Sequence, residues 1–276
     1  VIGFYEDQVD NYNQDHYQLH WEQGINAYWS LALGLNYTYG RGYYQELNDI
    51  WYDQNTGFSG NTSADFLQLP KADAVDIENI TQKWLDNDFY VANLMAAFEK
   101  GAQKLNLGFS NSNYLGDHFG KLIWAQNAGG ALPNHRFYEN KGEKTDTNVF
   151  AKLTHAVGRQ WTVYTDVQYR WIDYKANGMQ AGQVPIDVNR NYGFFNPKAG
   201  VTFSMNPNHQ LYFSVARAHK EPNRTDFENG NPLPEELTDF ELGWRHQKSN
   251  LQFIANAYFM DYTNQLVLTG AIDEVG

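Results

Sequence analysis

The 276-residue chain contains no cysteine, and basic residues are scarce relative to acidic ones. The absence of cysteine excludes disulfide bonds, thiolate-bound zinc and a cysteine nucleophile. Twenty Lys and Arg residues stand against 32 Asp and Glu residues, so the formal net charge is −12. A protein that binds nucleic acid needs a basic surface to displace counterions from phosphates, and this charge balance therefore argues against nucleic acid as a partner.

Long apolar runs are also missing. No stretch of about 18 apolar residues occurs, which excludes a transmembrane helix. The mean hydropathy of −0.63 suggests a soluble protein, but membrane β-barrels alternate apolar and polar residues and so escape such an average. Aromatic residues make up 16% of the chain and charged residues only 19%. This composition is too aromatic and too weakly charged for a disordered protein. Because the sequence begins at Val1 without Met or a signal peptide, we expect it to be a piece of a longer protein.

An alternation with period two runs through the chain. Between positions 27 and 39 the odd residues form an apolar row and the even residues are small or polar. Twelve strand steps of about 3.3 Å, tilted by about 40°, span about 30 Å, which is close to the apolar band of an outer-membrane barrel. Strands of soluble sandwiches usually have only about 5–6 residues. We therefore predict that Leu33 lies near the bilayer midplane, that Asn36 faces a polar lumen, and that Trp29 and Tyr39 lie at the two interfaces.

The same alternation recurs along the chain and predicts about ten strands. Short connections near residues 23–24, 100–102, 157–159, 206–208 and 247–249 alternate with long segments at roughly 42–87, 112–144, 174–195 and 219–235. Bacterial outer-membrane barrels have short periplasmic turns and long extracellular loops in this order. We predict an all-β segment of a transmembrane antiparallel barrel, with one short amphipathic helix over residues 75–85.

Few residue patterns indicate catalysis or metal binding. His16 and His20 share a strand face but lie about 13 Å apart, too far to share one ion. Asp239 and Glu241 form a carboxylate pair about 7 Å apart, which suits acid–base chemistry but is also ordinary in a water-filled lumen, and we favour the lumen. Nucleotide-binding, serine hydrolase and zinc protease motifs are absent from the sequence. We expect neither enzymatic activity nor a bound cofactor or metal.

The long segments are rich in Asn, Gly, Asp and aromatic residues, and we expect ligand contacts there. Aromatic and Arg side chains commonly anchor binding sites because they bury much area at low entropic cost. Loop histidines beside aromatic residues suit an iron chelate or haem, and the alternative is that they only pack the loops together. The candidate ligand-binding residues are Trp51, Tyr52, His118, Phe119, Trp124, His135, Arg136 and Tyr138.

Several segments resemble the TonB-dependent receptors of Gram-negative outer membranes. Residues 217–227, with an R-x-x-x-x-P-x-R-like pattern, are similar to a late-barrel segment of that family where a strand enters an extracellular loop. Residues 240–244 and 259–266 resemble two of its later strands, and residues 9–17 and 40–44 resemble the middle of the same barrel. The order and spacing of these loose motifs cover nearly the whole chain.

The resemblance implies a 22-stranded barrel in the outer membrane, closed by an N-terminal plug that couples to the TonB protein complex. Residues 1–276 then form a partial barrel domain, from the middle to the late part, without the plug. It also implies uptake of a scarce nutrient, most readily a ferric siderophore or other metal complex, although the family also takes haem, cobalamin and glycans. Its partners would be membrane lipid, the chelate and, through the plug, TonB. Two other readings stay open: an outer-membrane barrel enzyme with a protease site at its rim, and a soluble β-rich glycan-binding module.

Overall fold

The computed structural model describes residues 7–48, 67–69, 77–228 and 230–266, so the candidates Trp51 and Tyr52 lie outside the described residues. Ten strands account for most of the described chain. Their bounds are β1 Val9–Gly24, β2 Trp29–Asn48, β3 Asn79–Lys100, β4 Gln103–Ala125, β5 Arg136–Val157, β6 Trp161–Met179, β7 Pro185–Asn206, β8 His209–Lys220, β9 Glu235–Lys248 and β10 Leu251–Thr263.

All ten strands belong to one sheet, and their order in the sheet is their order in the sequence. Every pair of neighbours is antiparallel. This confirms the predicted run of hairpins. Within the described ranges, the helical elements are a single 3-10 turn, Ala181–Gln183, and a short helix α1, Arg224–Glu228. None of the helices described is long and apolar enough to cross a membrane.

The register of the sheet divides its side chains into two faces. Trp21, Leu33, Leu94, Phe109 and Val149 lie side by side on successive strands, and we call their side the apolar face. Leu94 is 46% exposed and Phe109 is 41% exposed. A water-soluble sheet hides such a row against a second layer, whereas a membrane barrel turns it towards lipid.

The opposite side, which we call the polar face, carries small and polar residues and is closely packed from strand to strand. The Phe150 ring covers Gly108, and the Tyr212 ring covers Gly243, so that a Cβ at either glycine would overlap the ring. Aromatic residues laid over cross-strand glycines are a known way to stabilise strand pairing. The same contacts hold the register that separates the two faces.

The strands extend further than the alternation predicted. The predicted loop 112–144 contains the last part of β4 and the first part of β5, so only residues 126–135 connect these strands. The predicted helix over 75–85 is wrong, because residues 79–85 belong to β3 and pair with β2 on one side and β4 on the other. Apolar residues at helical spacing here lie on an extended backbone whose hydrogen-bond partners come from neighbouring strands.

The buried apolar residues gather at the end of the sheet that carries the long connections. One cluster contains Leu67, Leu69, Ile77, Leu122 and Phe137. A second contains Ala176, Ile186 and Val188, with Tyr174 and Phe227 packed against it. These clusters hold the connecting segments against the strand ends.

Candidate functional site

Most of the predicted ligand-binding residues lie on strands rather than in loops. His118, Phe119 and Trp124 belong to β4, while Arg136 and Tyr138 belong to β5. The loop placement predicted for these five residues is therefore wrong. Both strands continue past their apolar part because polar residues form the ladder as well as apolar ones do.

The two faces of the sheet separate these residues. His118 is level with Leu85 and Gly42 on the polar face, and Tyr138 is level with Gly120 on the same face. Phe119 pairs with Trp84 on the apolar side, where Arg136 also lies opposite Lys121. Trp124 pairs with Ile80 on that side too. The predicted residues that the structure describes therefore do not form one site.

Alternation along β4 separates His118 from Phe119, and a register shift between Gly120 and Lys121 separates Arg136 from Tyr138. Gly120 is opposite Tyr138 and Lys121 is opposite Arg136, which leaves Phe137 as an additional residue on β5. An extra residue of this kind changes the side on which the following side chains lie. Phe137 turns into the first buried cluster and is 1% exposed.

His135 makes two hydrogen bonds that connect neighbouring segments. Its Nε2 atom lies 3.0 Å from the carbonyl oxygen of Leu67, so this nitrogen carries the proton and donates. Its backbone carbonyl accepts a hydrogen bond from the Leu122 N–H at 2.8 Å. His135 thereby ties residues 67–69 to the top of β4.

On the polar face, His118 and Tyr138 share an electrostatic environment with two residues that were not predicted as ligand candidates, Tyr114 and Arg224, and we call these four residues the cluster. Arg224 begins α1, and its positive charge acts on the side chains of Tyr114, His118 and Tyr138. The Arg224 guanidinium donates from Nε and Nη2 to Gln180 Oε1, at 3.2 and 2.8 Å. The charge of a residue after β8 thus acts on side chains of strands β4 and β5.

The protonation states of this cluster follow from burial. Burial lowers the pKa of the His118 imidazole, the charge of Arg224 lowers it further, and Asp117 opposes the shift. Burial raises the pKa of the Tyr138 phenol to about 12. At neutral pH the cluster therefore has an uncharged imidazole, uncharged phenols and one guanidinium. Such a set can bind an anionic, hydrogen-bonding, partly aromatic ligand.

An ion-pair network holds the segment that carries Arg224. Arg170 on β6 donates to Asp146 on β5 and to both carboxylate oxygens of Glu221, the latter at 2.9 Å. Lys144 donates to the same carboxylate at 2.5 Å. Burial alone would raise the pKa of Glu221, but the hydrogen bond from Lys144 and the charges of Arg170 and Lys144 hold it below its usual value. Glu221 therefore stays ionised and fixes the residues just before α1.

A cavity of about 290 Å³ lies beside α1. Its walls include Gln180, Val188, Arg190, Phe227 and Asn231. Arg190 donates to Asn231 Oδ1 at 2.7 Å, and its guanidinium carbon lies 5.9 Å from the centroid of the Phe227 ring. Since Gln180 also accepts hydrogen bonds from Arg224, the cavity lies next to Arg224.

Of the metal and acid–base candidates, His16 and Glu241 have ordinary hydrogen-bond contacts. His16 Nδ1 lies 2.9 Å from Thr38 Oγ1, and Ser214 donates to Glu241 at 3.5 Å. Among the residues that the structure describes, no three His, Cys, Asp or Glu side chains are grouped so that they could hold a metal ion.

Comparison with known proteins matches nearly the whole chain to one family. The family model described as "TonB dependent receptor-like, beta-barrel" matches residues 2–275. No curated protein sequence matches the chain.

Several solved structures have a similar fold. The ferric-catecholate import receptor Fiu from E. coli K12, in its open form, is 14% identical with a TM-score of 0.61, and the match covers 95% of this chain and 42% of Fiu. The copper transporter OprC is 14% identical with a TM-score of 0.62, with 90% and 38% covered. The siderophore receptor PiuA from Acinetobacter baumannii is 13% identical with a TM-score of 0.58, with 91% and 40% covered. The chain thus spans about two fifths of the length of these proteins.

Proposed function

Because this chain belongs to the family of TonB-dependent receptor-like β-barrels, which lie in the outer membrane of Gram-negative bacteria, we propose that it serves in the uptake of a metal chelate, most readily a ferric siderophore. In this proposal the apolar face contacts lipid and the polar face lines the lumen. The long connections form the extracellular mouth, as they do in bacterial outer-membrane barrels. The family is one of receptors and transporters, which leaves the rim protease and the soluble glycan-binding module without support.

The observation that supports a chelate is the cluster of Tyr114, His118, Tyr138 and Arg224 on the polar face at the extracellular end. Ferric siderophore complexes are commonly anionic and present flat aromatic or carboxylate groups. A guanidinium binds such oxygens through two parallel hydrogen bonds, and phenol rings stack on flat ligand groups while their hydroxyls donate. Fiu is named as a ferric-catecholate receptor, PiuA as a siderophore receptor and OprC as a copper transporter, so metal complexes are the ligand class that we favour.

In this proposal the cluster captures the ligand, and the Glu221 network keeps the capture residue in place. Arg170 and Lys144 fix Glu221, which lies three residues before Arg224. A ligand that draws Arg224 away from Gln180 changes the contacts of α1 and of the cavity beside it. Release into the periplasm is proposed to need the plug and the TonB complex, which belong to the complete receptor.

The experiment compares two substitutions of equal charge in the intact receptor. Arg224→Ala removes the guanidinium of the cluster, whereas Arg159→Ala removes an exposed guanidinium in the short turn between β5 and β6, at the opposite end. We expect Arg224→Ala to weaken binding of a ferric tris-catechol complex by about tenfold or more, the effect of losing a charge-assisted hydrogen bond. Arg159→Ala should bind as the unmodified receptor does.

The binding measurement is repeated with ferric citrate and with a copper chelate. Folding of each variant is checked by the heat-modifiable mobility of the barrel in SDS gel electrophoresis. If Arg224→Ala binds all three complexes as tightly as Arg159→Ala does, the proposed site is wrong. A deletion that tests the loop should remove residues 127–134 only, because residues 118–125 belong to β4 and residues 136–138 belong to β5.

A further inference from the structure

Above the lipid-facing rows, the apolar side of the sheet carries a group of cationic and aromatic residues. We call Arg41, Trp84, Phe119, Lys121 and Arg136 the outer cationic patch. The Trp84 and Phe119 rings stack with centroids 5.9 Å apart and planes 6° apart. The Lys121 Nζ atom lies 4.4 Å from the Trp84 centroid and 5.4 Å from the Phe119 centroid.

Two guanidiniums reach the same pair of rings. The Cζ atom of Arg41 lies 5.5 Å from the Trp84 centroid, and that of Arg136 lies 4.1 Å from the Phe119 centroid. Lys121 therefore lies between two arginines, with the rings shared among all three cations. The rings attract the cations individually, but they do not remove the repulsion between like charges.

Carboxylates form ion pairs with the two arginines of the patch but not with its lysine. Arg41 lies 3.4 Å from Asp86 and Arg136 lies 2.9 Å from Glu139. Lys121 has no ion pair with another described residue. Burial lowers the pKa of Lys121, and the charges of Arg136 and Arg41 lower it further. The patch thus holds an uncompensated positive charge, which an external anion would stabilise.

The register gives the direction in which the patch points. Lys121 pairs with Gln82 and Arg136, and Trp84 pairs with Tyr43 and Phe119, so these residues continue the rows of the apolar face. They therefore face away from the lumen. The patch lies at the end of the strands that carries the long connections, which is the extracellular end of an outer-membrane barrel. It faces the region directly above the outer leaflet.

The height of the patch above the hydrocarbon core restricts which membrane component can supply the anion. Tyr37 and Tyr90 stack at 4.8 Å at the upper border of the apolar rows. Trp84 is six residues from Tyr90 along β3, which is about 20 Å of strand and about 15 Å of height at a tilt of about 40°. A phospholipid headgroup extends only about 5–8 Å beyond the hydrocarbon. An anion at this level has to be carried on a longer headgroup.

From the charge, the direction and the height together, we propose that the outer cationic patch binds the phosphorylated oligosaccharide of an outer-leaflet glycolipid, with Lys121 as its central phosphate contact. Arg41 and Arg136 flank the phosphate. The exposed part of each side chain stays available, since both arginines are about half exposed. This inference depends on the membrane location and on the fold, and it is independent of the ligand proposed for the lumen.

The test uses the intact receptor in nanodiscs that contain lipopolysaccharide with a phosphorylated core oligosaccharide, and it counts retained glycolipid by native mass spectrometry. Lys121→Gln removes the central charge. Lys104→Gln is the matched control because Lys104 lies on the same strand, at its other end, and is paired with Glu99 at 2.8 Å. We expect Lys121→Gln to weaken glycolipid retention about fivefold, the usual effect of one cation near an anionic membrane surface. Lys104→Gln should retain glycolipid as the unmodified receptor does.

A second comparison varies the lipid. Removing the core phosphates, or replacing lipopolysaccharide by phosphatidylglycerol, should reduce retention by the unmodified receptor to the level of Lys121→Gln, and Lys121→Arg should restore most of it. Equal retention of phosphorylated and dephosphorylated glycolipid would overturn the proposal, as would equal retention by Lys121→Gln and Lys104→Gln. Tighter retention of phosphatidylglycerol than of lipopolysaccharide would place the anion at the wrong height and would also overturn it.

Discussion

Two adjacent residues of β3 allow a direct measurement of which face of the sheet meets lipid. Leu94 lies near the middle of the apolar face, between Leu33 on β2 and Phe109 on β4. Asn93 precedes it on the polar face, between Gly34 and Ser110, and both side chains are exposed. An arginine introduced at either position differs only in the side of the sheet on which it lies.

We expect Leu94→Arg to lower the free energy of unfolding of the receptor by about 2–4 kcal/mol, the cost of a guanidinium at the midplane of a membrane barrel. Asn93→Arg should cost under about 1 kcal/mol, because its guanidinium reaches water in the lumen. The measurement is urea unfolding of the intact receptor in phospholipid vesicles, with folding followed by tryptophan fluorescence.

Spin labels at the same two positions separate lipid contact from packing. A label at residue 94 should be relaxed by oxygen dissolved in the lipid, and a label at residue 93 by a water-soluble paramagnetic complex. Equal destabilisation by the two arginines, together with labels that respond alike, would refute the assignment of the faces. The membrane orientation would then have to be reversed or abandoned.

Three further outcomes test individual contacts. Phe137→Ala empties a site that is 1% exposed and should cost about 3–5 kcal/mol in the packing of the first buried cluster, seen as faster proteolysis of residues 126–135. Glu221 has a lowered pKa, so its stabilisation of the segment before α1 is complete above its unfolded pKa of about 4.3 and is lost as the pH falls through the folded value. The protection of residues 221–228 against hydrogen exchange, measured relative to the intrinsic rate at each pH, should therefore fall in acid, and Glu221→Gln should show low protection at every pH. The Tyr138 phenol, with a pKa of about 12, should stay protonated at about pH 10, where a free tyrosine is half ionised, and comparison with Tyr138→Phe by ultraviolet absorbance identifies its signal.

The fold was predictable where one strand face is apolar. Leu33 and its row have a period of two that only a half-buried strand explains, and the sheet confirms it. The strand ends were missed because polar residues such as Asn113, Asp117 and Lys121 interrupt the apolar row there. Asn113 donates to Thr145 Oγ1 at 2.7 Å across β4 and β5, and Asn111 does the same with Thr147. Such pairs stabilise a ladder without leaving any hydrophobic pattern.

The candidate site was predictable only in part. His118 and Tyr138 were identified from residue type, and the structure places both on the polar face. Arg224 was noted only within the motif of residues 217–227 and not as a ligand candidate, because the sequence does not show that this distant segment, which the Glu221 network holds in place, acts on β4 and β5. Alternation alone places Phe119 on the apolar face with Phe109, whereas nothing in the sequence indicated the register shifts that place Trp124 and Arg136 there.

The additional residue Phe137 in β5 also affects how relatives of this chain should be aligned. A one-residue gap placed low in β4 or β5 would exchange the lipid-facing and lumen-facing residues along the rest of the strand. A gap placed at Phe137 adds or removes the bulged residue and leaves the rows below it unchanged. The register shift between Ile80 and Thr81, which leaves Ile123 unpaired on β4, offers a second such position. Insertions and deletions that separate members of this group should therefore collect at Ile123, at Phe137 and in residues 126–135 between them.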